Sequence, residues 1–500
     1  MQRVRMVTRI SRCVLPSVSA AMLAVLLAGY SAGQNKKVST AGDAKIYREA
    51  MGWFKQAEAM IGTPKENSDE QAELFRKALK IKPDFVEAHY NLGLIYANQK
   101  KMDEAAVEFE EVVKLEPKFE GMAFLLASTY KDLGKTDKAI QALEAGLRDK
   151  PKDLQMLRAL AYLQVSSAPE DRAIPTLETL LEIVPTDVNA RLDLALVYQK
   201  AGKLDNAAEN YRDALRVDSQ NFVAHFNLGL ILLRQEKAVE AVSELEAANG
   251  ITPGNTDLLE PLGDAYALLN KHEKAAAAYE AAVKKAPDKA VLWSKLGFSL
   301  ANIGRSEAAV TALENSVRRN PKNANAYYLL GDLYSDLRKP EQAVAAYKDS
   351  LALNPKQKEV HYNLGTLYAE QKQFPDALAE LKTAVEIDGN YAAAWANLAV
   401  VSEEVGLDQE AIRAHEKVVS LGSAQAANYF HLGILYAKSN QAGPAVDNLS
   451  KAIELEPEKY RQLLREELKK VHSILDSVRY TERFNKLLGD TPGAPPARKP

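Results

Sequence analysis

Cysteine is all but missing from this 500-residue chain, since Cys13 is the only one. Everything after it lacks thiols, which excludes disulfide staples and thiol catalysis from that stretch. An excess of one charge is missing too. The formal net charge is −3, so no basic field favours nucleic acid or an anionic membrane surface. No phosphate-binding glycine loop, nucleophile motif or paired metal-ligand spacing occurs, and the usual catalytic signatures go with them. Long apolar runs are confined to the N-terminus. The remainder, with 47% hydrophobic and 26% charged residues overall, is a soluble balance and not that of a disordered chain.

The N-terminus reads as a targeting segment. Arg3, Arg5, Arg9 and Arg12 are followed by no charge until Lys36, and Val18 to Ala28 form an apolar core ending in Ser31-Ala32-Gly33. This is the order of a bacterial signal peptide over 1–33, cleaved near Gly33. The 23 uncharged residues from Cys13 to Asn35 also suffice for an uncleaved anchor. Leu27-Ala28-Gly29-Tyr30 resembles a lipoprotein recognition sequence, but Tyr30 stands where the lipid-bearing cysteine belongs. A phenol cannot form the thioether, so no lipid is expected there. The expected location is the periplasm or envelope, and contact with a membrane would come only through an uncleaved N-terminus.

Beyond it the chain repeats. Pro83, Pro117, Pro151 and Pro185 are 34 residues apart, and the frame continues through Pro253, Pro287, Pro321 and Pro355 to Pro457. Ser219, Gly389 and Ser423 stand in for proline where it is missing, as a shared turn allows. Counting position 1 from the third residue after each proline gives eleven repeats over 86–459. Position 7 is always Leu (Leu92 to Leu432), position 8 is Gly or Ala, and position 20 is always Ala (Ala105 to Ala445). Position 11 is usually Tyr, as in Tyr96, Tyr130, Tyr198, Tyr266, Tyr334, Tyr368 and Tyr436. Small residues at 8 and 20 let two helices approach closely, while Leu and Tyr fill the space between them. One hairpin cannot bury its own apolar faces, so neighbours must stack.

This pattern resembles the tetratricopeptide-repeat (TPR) family. The resemblance implies an all-α, right-handed superhelical solenoid of about twelve helix-turn-helix repeats. Segment 34–85 carries a degenerate first repeat at 52–85, in which Thr63 to Ser68 form a turn and a helix cap. Residues 460–488 read as capping helices. The first, Tyr460 to Asp476, places Leu463, Leu464, Leu468 and Val471 on one side, and 489–500 reads as a disordered tail. Repeat 154–187 breaks the rule. Gln164 replaces Tyr, Ser166 to Pro169 lengthen the turn, and Pro175 falls inside the second helix, where a kink costing roughly 3 kcal/mol is expected. That kink is either a tolerated bend or a change of direction between two binding segments.

In the TPR family the first helix of each repeat lines a concave groove, which implies that positions 2, 5, 9, 12 and 13 face a ligand. Position 5 carries Tyr90, Phe124, Phe226, Tyr328, Tyr362 and Phe430, which read either as partner anchors or as packing between repeats. Charge on these positions is uneven. Lys131, Arg158, Lys200 and Arg234 lie in the first half, and Glu260, Asp264, Asp332, Asp336, Glu370, Glu403 and Glu404 in the second. The second half is expected to prefer basic, extended or helical partner segments. Asn91, Asn227, Asn363 and Asn397 at position 6 resemble the asparagine ladder of the TPR domain of O-linked N-acetylglucosamine transferase, which implies amide contacts with a peptide backbone. Here that ladder is interrupted by Leu125, Ala159, Asp193, Pro261, Lys295 and Leu329. The family's carboxylate clamp for chaperone C-termini is absent.

His89, His225 and His361 recur at position 4, too far apart to share a metal, and read as packing residues. No metal, cofactor, nucleic acid or catalytic residue is expected. The reading is a non-enzymatic scaffold or adaptor in envelope assembly or secretion; the alternative is a cytoplasmic regulatory or cargo-binding TPR protein. Apolar side chains between Ala41 and Ile61 could also pair with a second copy. Mass-spectrometric mapping of the native N-terminus is expected to find a start near Gln34 in the envelope's soluble fraction. An intact Met1 in the cytosol would overturn the export reading.

Overall fold

The computed structural model describes residues 41–489, apart from 168, 471, 472 and 480. The targeting segment and the last eleven residues lie outside the described residues. Among the described residues every regular element is helical and no strand occurs. They form two compact units, one ending at Leu269 and one beginning at Asn270. In each unit the first helix of a repeat (helix A) packs on the second (helix B), and helix B meets helix A of the next repeat. Repeat 222–255 shows the pattern, with helix A at Phe222–Arg234 and helix B at Ala238–Ile251. No described helix is long and apolar enough to cross a membrane.

The small residues set the spacing. All eleven alanines at position 20 are 0% exposed, and no leucine at position 7 exceeds 8%. A Cβ added to Gly93 would meet the Phe109 ring at 2.5 Å, and one on Gly297 would meet Leu313 Cγ at 2.6 Å. Position 8 therefore packs directly on position 24, and at Gly93 and Gly297 even an alanine would push the pair apart.

Two recurrent side-chain bonds join successive repeats. The Tyr hydroxyl at position 11 donates to a Glu at position 25 of the preceding helix B: Tyr198 to Glu178 at 3.0 Å and Tyr334 to Glu314 at 2.7 Å, with Tyr130–Glu110 and Tyr436–Glu416 alike. The side chain at position 4 reaches back to the carbonyl of the turn before it. Trp293 donates to Pro287 O at 2.7 Å, Trp395 to Gly389 O at 3.0 Å, and Arg191 to Pro185 O at 2.9 Å. Both bonds satisfy a polar atom and tie a repeat to its immediate neighbour.

The ends and one interior repeat differ from the sequence expectation. The first helix spans Ala41–Glu58, longer than the frame required, and leaves Ile46 and Tyr47 exposed. Ser68 caps the next helix as expected, accepting from the Gln71 N–H at 3.2 Å. The first C-terminal helix is Pro457–Leu468, not Tyr460 to Asp476. Leu464 is buried but Leu463 is exposed, and Val471 lies outside the described residues. The cap is completed by Leu475, Val478, Phe484 and Leu488, the last two on helix Glu482–Leu488. Pro175 does not kink a helix interior. It is the third residue of helix Ala173–Ile183, which follows a 3-10 turn at Glu170–Arg172. A proline cannot donate to the carbonyl four residues back, and the tighter opening turn removes the need for that bond. The interior proline is Pro261, in helix Thr256–Leu268.

Position 15, the turn between helices A and B, is left-handed wherever it is described. Gly134, Gly202, Gly304 and Gly406 suit it, but Lys100, Glu236, Arg338 and Lys372 adopt φ of 57° to 61° there. Such residues carry a Cβ penalty of about 1 kcal/mol. Arg338→Gly is therefore expected to raise stability by up to about 1 kcal/mol, read as a higher urea midpoint. Gly304→Arg should lower it.

Candidate partner-binding face

Residues four apart on helix A share a face, so positions 5, 9 and 13 form one stripe per repeat. The position-5 aromatics divide along it. Tyr90, Phe124 and Phe226 are buried, Phe226 completely, whereas Tyr328, Tyr362 and Phe430 are half-buried. Tyr90 packs on Phe119 with ring centroids 5.1 Å apart, Tyr362 on Tyr391 at 5.1 Å and Phe430 on Tyr460 at 4.9 Å. These rings close the junction between repeats. In the second unit they also present an edge to solvent beside Phe298 and Val400, position-9 side chains that are 44% and 49% exposed. Sequence reasoning missed these two, although position 9 was in view and an apolar residue there was the signal.

The asparagines at position 6 follow a rule set by position 9 of the repeat before. Asn363 Nδ2 donates to Asp332 Oδ1 at 2.9 Å, and Asn397 Nδ2 to Thr366 Oγ1 at 2.8 Å. Asn91 has Met60 at that place and turns to its own Glu87 carbonyl at 2.8 Å. Asn227 has Leu196 there, and its buried Oδ1 has no hydrogen-bond partner among the described residues. An unpaired buried amide oxygen costs about 1–3 kcal/mol. Asn363 and Asn397 are thus committed to the stack, while Asn227 retains bonding capacity.

Charge is redistributed in the same way. Asp332 also accepts from Tyr347 Oη at 2.7 Å. Burial pushes its carboxyl above the usual range, and the bonds from Tyr347, Asn363 and Tyr328 offset only part of that. Asp336, Glu370 and Glu404 remain exposed on the second unit. In the first unit, Arg158 pairs with Asp187 at 2.8 Å beside a cleft of about 400 Å³ lined also by Tyr162 and Asp193.

Histidines at position 4 are bonded as well as packed. His361 sets Nδ1 2.5 Å from Glu380 and Nε2 3.0 Å from the Pro355 carbonyl; His89 does likewise with Glu108 and Pro83. Two acceptors facing one ring favour the doubly protonated form. Burial alone would lower the pKa of both, but the carboxylate and the carbonyl outweigh it, and both are raised. Among the described residues one group of side chains has metal-ligand character, Glu403, His415 and His431. Sequence reasoning missed it because the three hold different repeat positions.

A tetratricopeptide-repeat model matches residues 192–256, 245–290, 295–334, 328–392 and 362–426. A second matches 99–162 and a third, TPR repeat, 69–100. The chain belongs to the tetratricopeptide-repeat family. Similar solved structures include YrrB, described as a TPR protein with an unusual peptide-binding site, at 22% identity over 39% of this chain and 97% of that one (TM-score 0.35). MamA is 24% identical over 33% of this chain and 91% of its own (TM-score 0.32). The C-terminal part of a TPR protein from Cytophaga hutchinsonii is 15% identical over 47% of this chain and 98% of its own (TM-score 0.42). A comparison with functionally curated proteins returned no match.

The bonding of His361 has a pH signature. Its folded pKa is raised, so the stability it adds is fully present below the unfolded value of about 6.5 and is lost as pH rises through the folded value. His361→Trp would keep the carbonyl bond, as Trp395 does, and drop the charge. Thermal denaturation is expected to show this TPR variant weakened relative to wild type near pH 6, with the gap closing by pH 9. A pH-independent gap would contradict the assignment.

Proposed function

We propose that this TPR protein is a non-enzymatic scaffold that holds basic segments of partner proteins on the helix A face of its second unit. The observation that carries the reading is the combination on that face of exposed Phe298 and Val400, half-buried Tyr328 and Tyr362, and exposed Asp336, Glu370 and Glu404. Aromatic and apolar edges supply contact area, and acidic side chains around them steer and select basic chains. In the first unit, the cleft beside Arg158 and Tyr162 offers polar contacts to an extended backbone. Catalysis has no place in this reading, because the repeat frame fills 86–459 and the sequence carries no catalytic motif.

The pathway reading rests on the N-terminus. Its basic residues, apolar core and small-residue end support export, and therefore partners in envelope assembly or secretion. Tyr30 in the cysteine position argues for a protein without a lipid anchor.

Binding to a panel of basic, neutral and acidic peptides tests the charge reading directly. Wild type is expected to prefer basic peptides, with affinity falling as salt rises. The triple change Asp336→Asn, Glu370→Gln and Glu404→Gln should weaken that binding about tenfold and flatten its salt dependence. Equal binding and equal salt slopes in both proteins would refute it.

A further inference from the structure

The repeat frame allows each position to be compared with ten others in the same chain. At position 24, where the side chain fills the gap between helices A and B, every other regular repeat has Phe, Leu or Tyr; repeat 392–425 has His415. At position 12 that repeat has Glu403, the only carboxylate there in the eleven repeats. At position 6 the following repeat has His431, the only histidine at that place. Each is a departure, and the fold brings all three together. His415 Nε2 lies 2.7 Å from Glu403 Oε1, and His431 Nδ1 lies 3.0 Å from Glu403 Oε2. The ligand atoms are all within 4.8 Å of one another, and the imidazoles stack with centroids 5.7 Å apart.

The residues come from three helices, Ala392–Glu404, Asp408–Ser420 and Ala426–Lys438, so packing holds them in place. The His415 side chain is 1% exposed, whereas that of His431 is 44% exposed, which leaves one side of the cluster open. We propose that Glu403, His415 and His431 bind a divalent transition-metal ion, Zn²⁺ foremost, with a further coordination position open to solvent on the helix A face.

Two imidazole nitrogens and a carboxylate oxygen are a donor set that suits Zn²⁺ and its neighbours better than Mg²⁺ or Ca²⁺. With bonds of about 2.0–2.1 Å, the ligand atoms of a tetrahedral zinc site are about 3.3 Å apart. The separations in the cluster bracket that value, so small side-chain shifts would admit the ion. The Asn428 amide lies 3.4 Å from His415 Nδ1. Its Oδ1 accepts the Gln425 N–H at 2.8 Å, which holds the amide in place against the imidazole. Bound metal would join repeat 392–425 to its successor. The open position would take water or a donor side chain of a partner.

The test uses the full chain, stripped of metal with chelator and titrated with Zn²⁺ by calorimetry and with Co²⁺ by visible absorption. Wild type is expected to take up one tight equivalent, with Co²⁺ bands of a four- or five-coordinate nitrogen–oxygen site, and to melt higher when loaded. The variants borrow residues that the fold already accepts: His415→Leu, His431→Asn and Glu403→Ala, checked for helicity by circular dichroism. Each should lower Zn²⁺ affinity at least about tenfold and abolish the metal-dependent rise in melting temperature. His225→Trp, outside the cluster, should change neither. A wild-type chain with no Zn²⁺ binding below about millimolar, or folded variants that titrate as wild type does, would overturn the proposal and leave a hydrogen-bonded His–Glu–His cluster.

Discussion

The contact between positions 8 and 20 and the side chain at position 24 is the constraint from which the rest follows. Where Gly93, Gly297 or Gly433 lies against Phe109, Leu313 or Leu449, there is no space for a β-carbon. That intimacy fixes the distance between helices A and B, and the 34-residue period then fixes where the next pair begins. Burial at the alanines of position 20 is complete because the two backbones are this close. A bulkier residue at either place would alter the helix spacing and, through it, the junction with both neighbours.

Given rigid hairpins, the array needs only nearest-neighbour ties, and these are polar as much as apolar. The tyrosine-to-glutamate bond between positions 11 and 25 and the donor from position 4 to the preceding turn recur through both units. Each is modest, on the order of 1 kcal/mol. Repetition makes them matter, because the ties recur from junction to junction within each unit.

The frame, the helix pairs and the Ser68 cap were legible in the sequence because they depend on local spacing alone. Other features depended on what a side chain meets. Tyr90 and Tyr362 occupy the same position, yet Tyr90 is buried and Tyr362 keeps an exposed edge. Asn363 and Asn227 are likewise equivalent, and only the identity of Asp332 against Leu196 one repeat earlier decides which amide is bonded. Pro175 misled because its effect depends on the helix start, and Ala173–Ile183 begins close enough to accommodate it. Motif spacing could not reveal Glu403, His415 and His431, but alignment of the repeats against one another singles out each of them.

That comparison also indicates where such a fold can acquire chemistry. Positions 9 and 12 of one repeat, position 24 of its helix B and position 6 of the next repeat border one niche. The frame demands bulk at position 24 but leaves the other places free. Repeat 324–357 fills the niche with Asp332, Tyr347 and Asn363; repeat 188–221 pairs Tyr211 with Gln199 at 3.1 Å beside Asn227; repeat 392–425 uses Glu403, His415 and His431. Three polar solutions in one niche show that the stack tolerates buried polarity there, even with the Asn227 Oδ1 left unpaired. Where the niche opens at helix A, as it does at His431, a change in its chemistry reaches the binding face without disturbing the contacts that hold the repeats together. Specificity can therefore vary along the array repeat by repeat while the architecture stays constant.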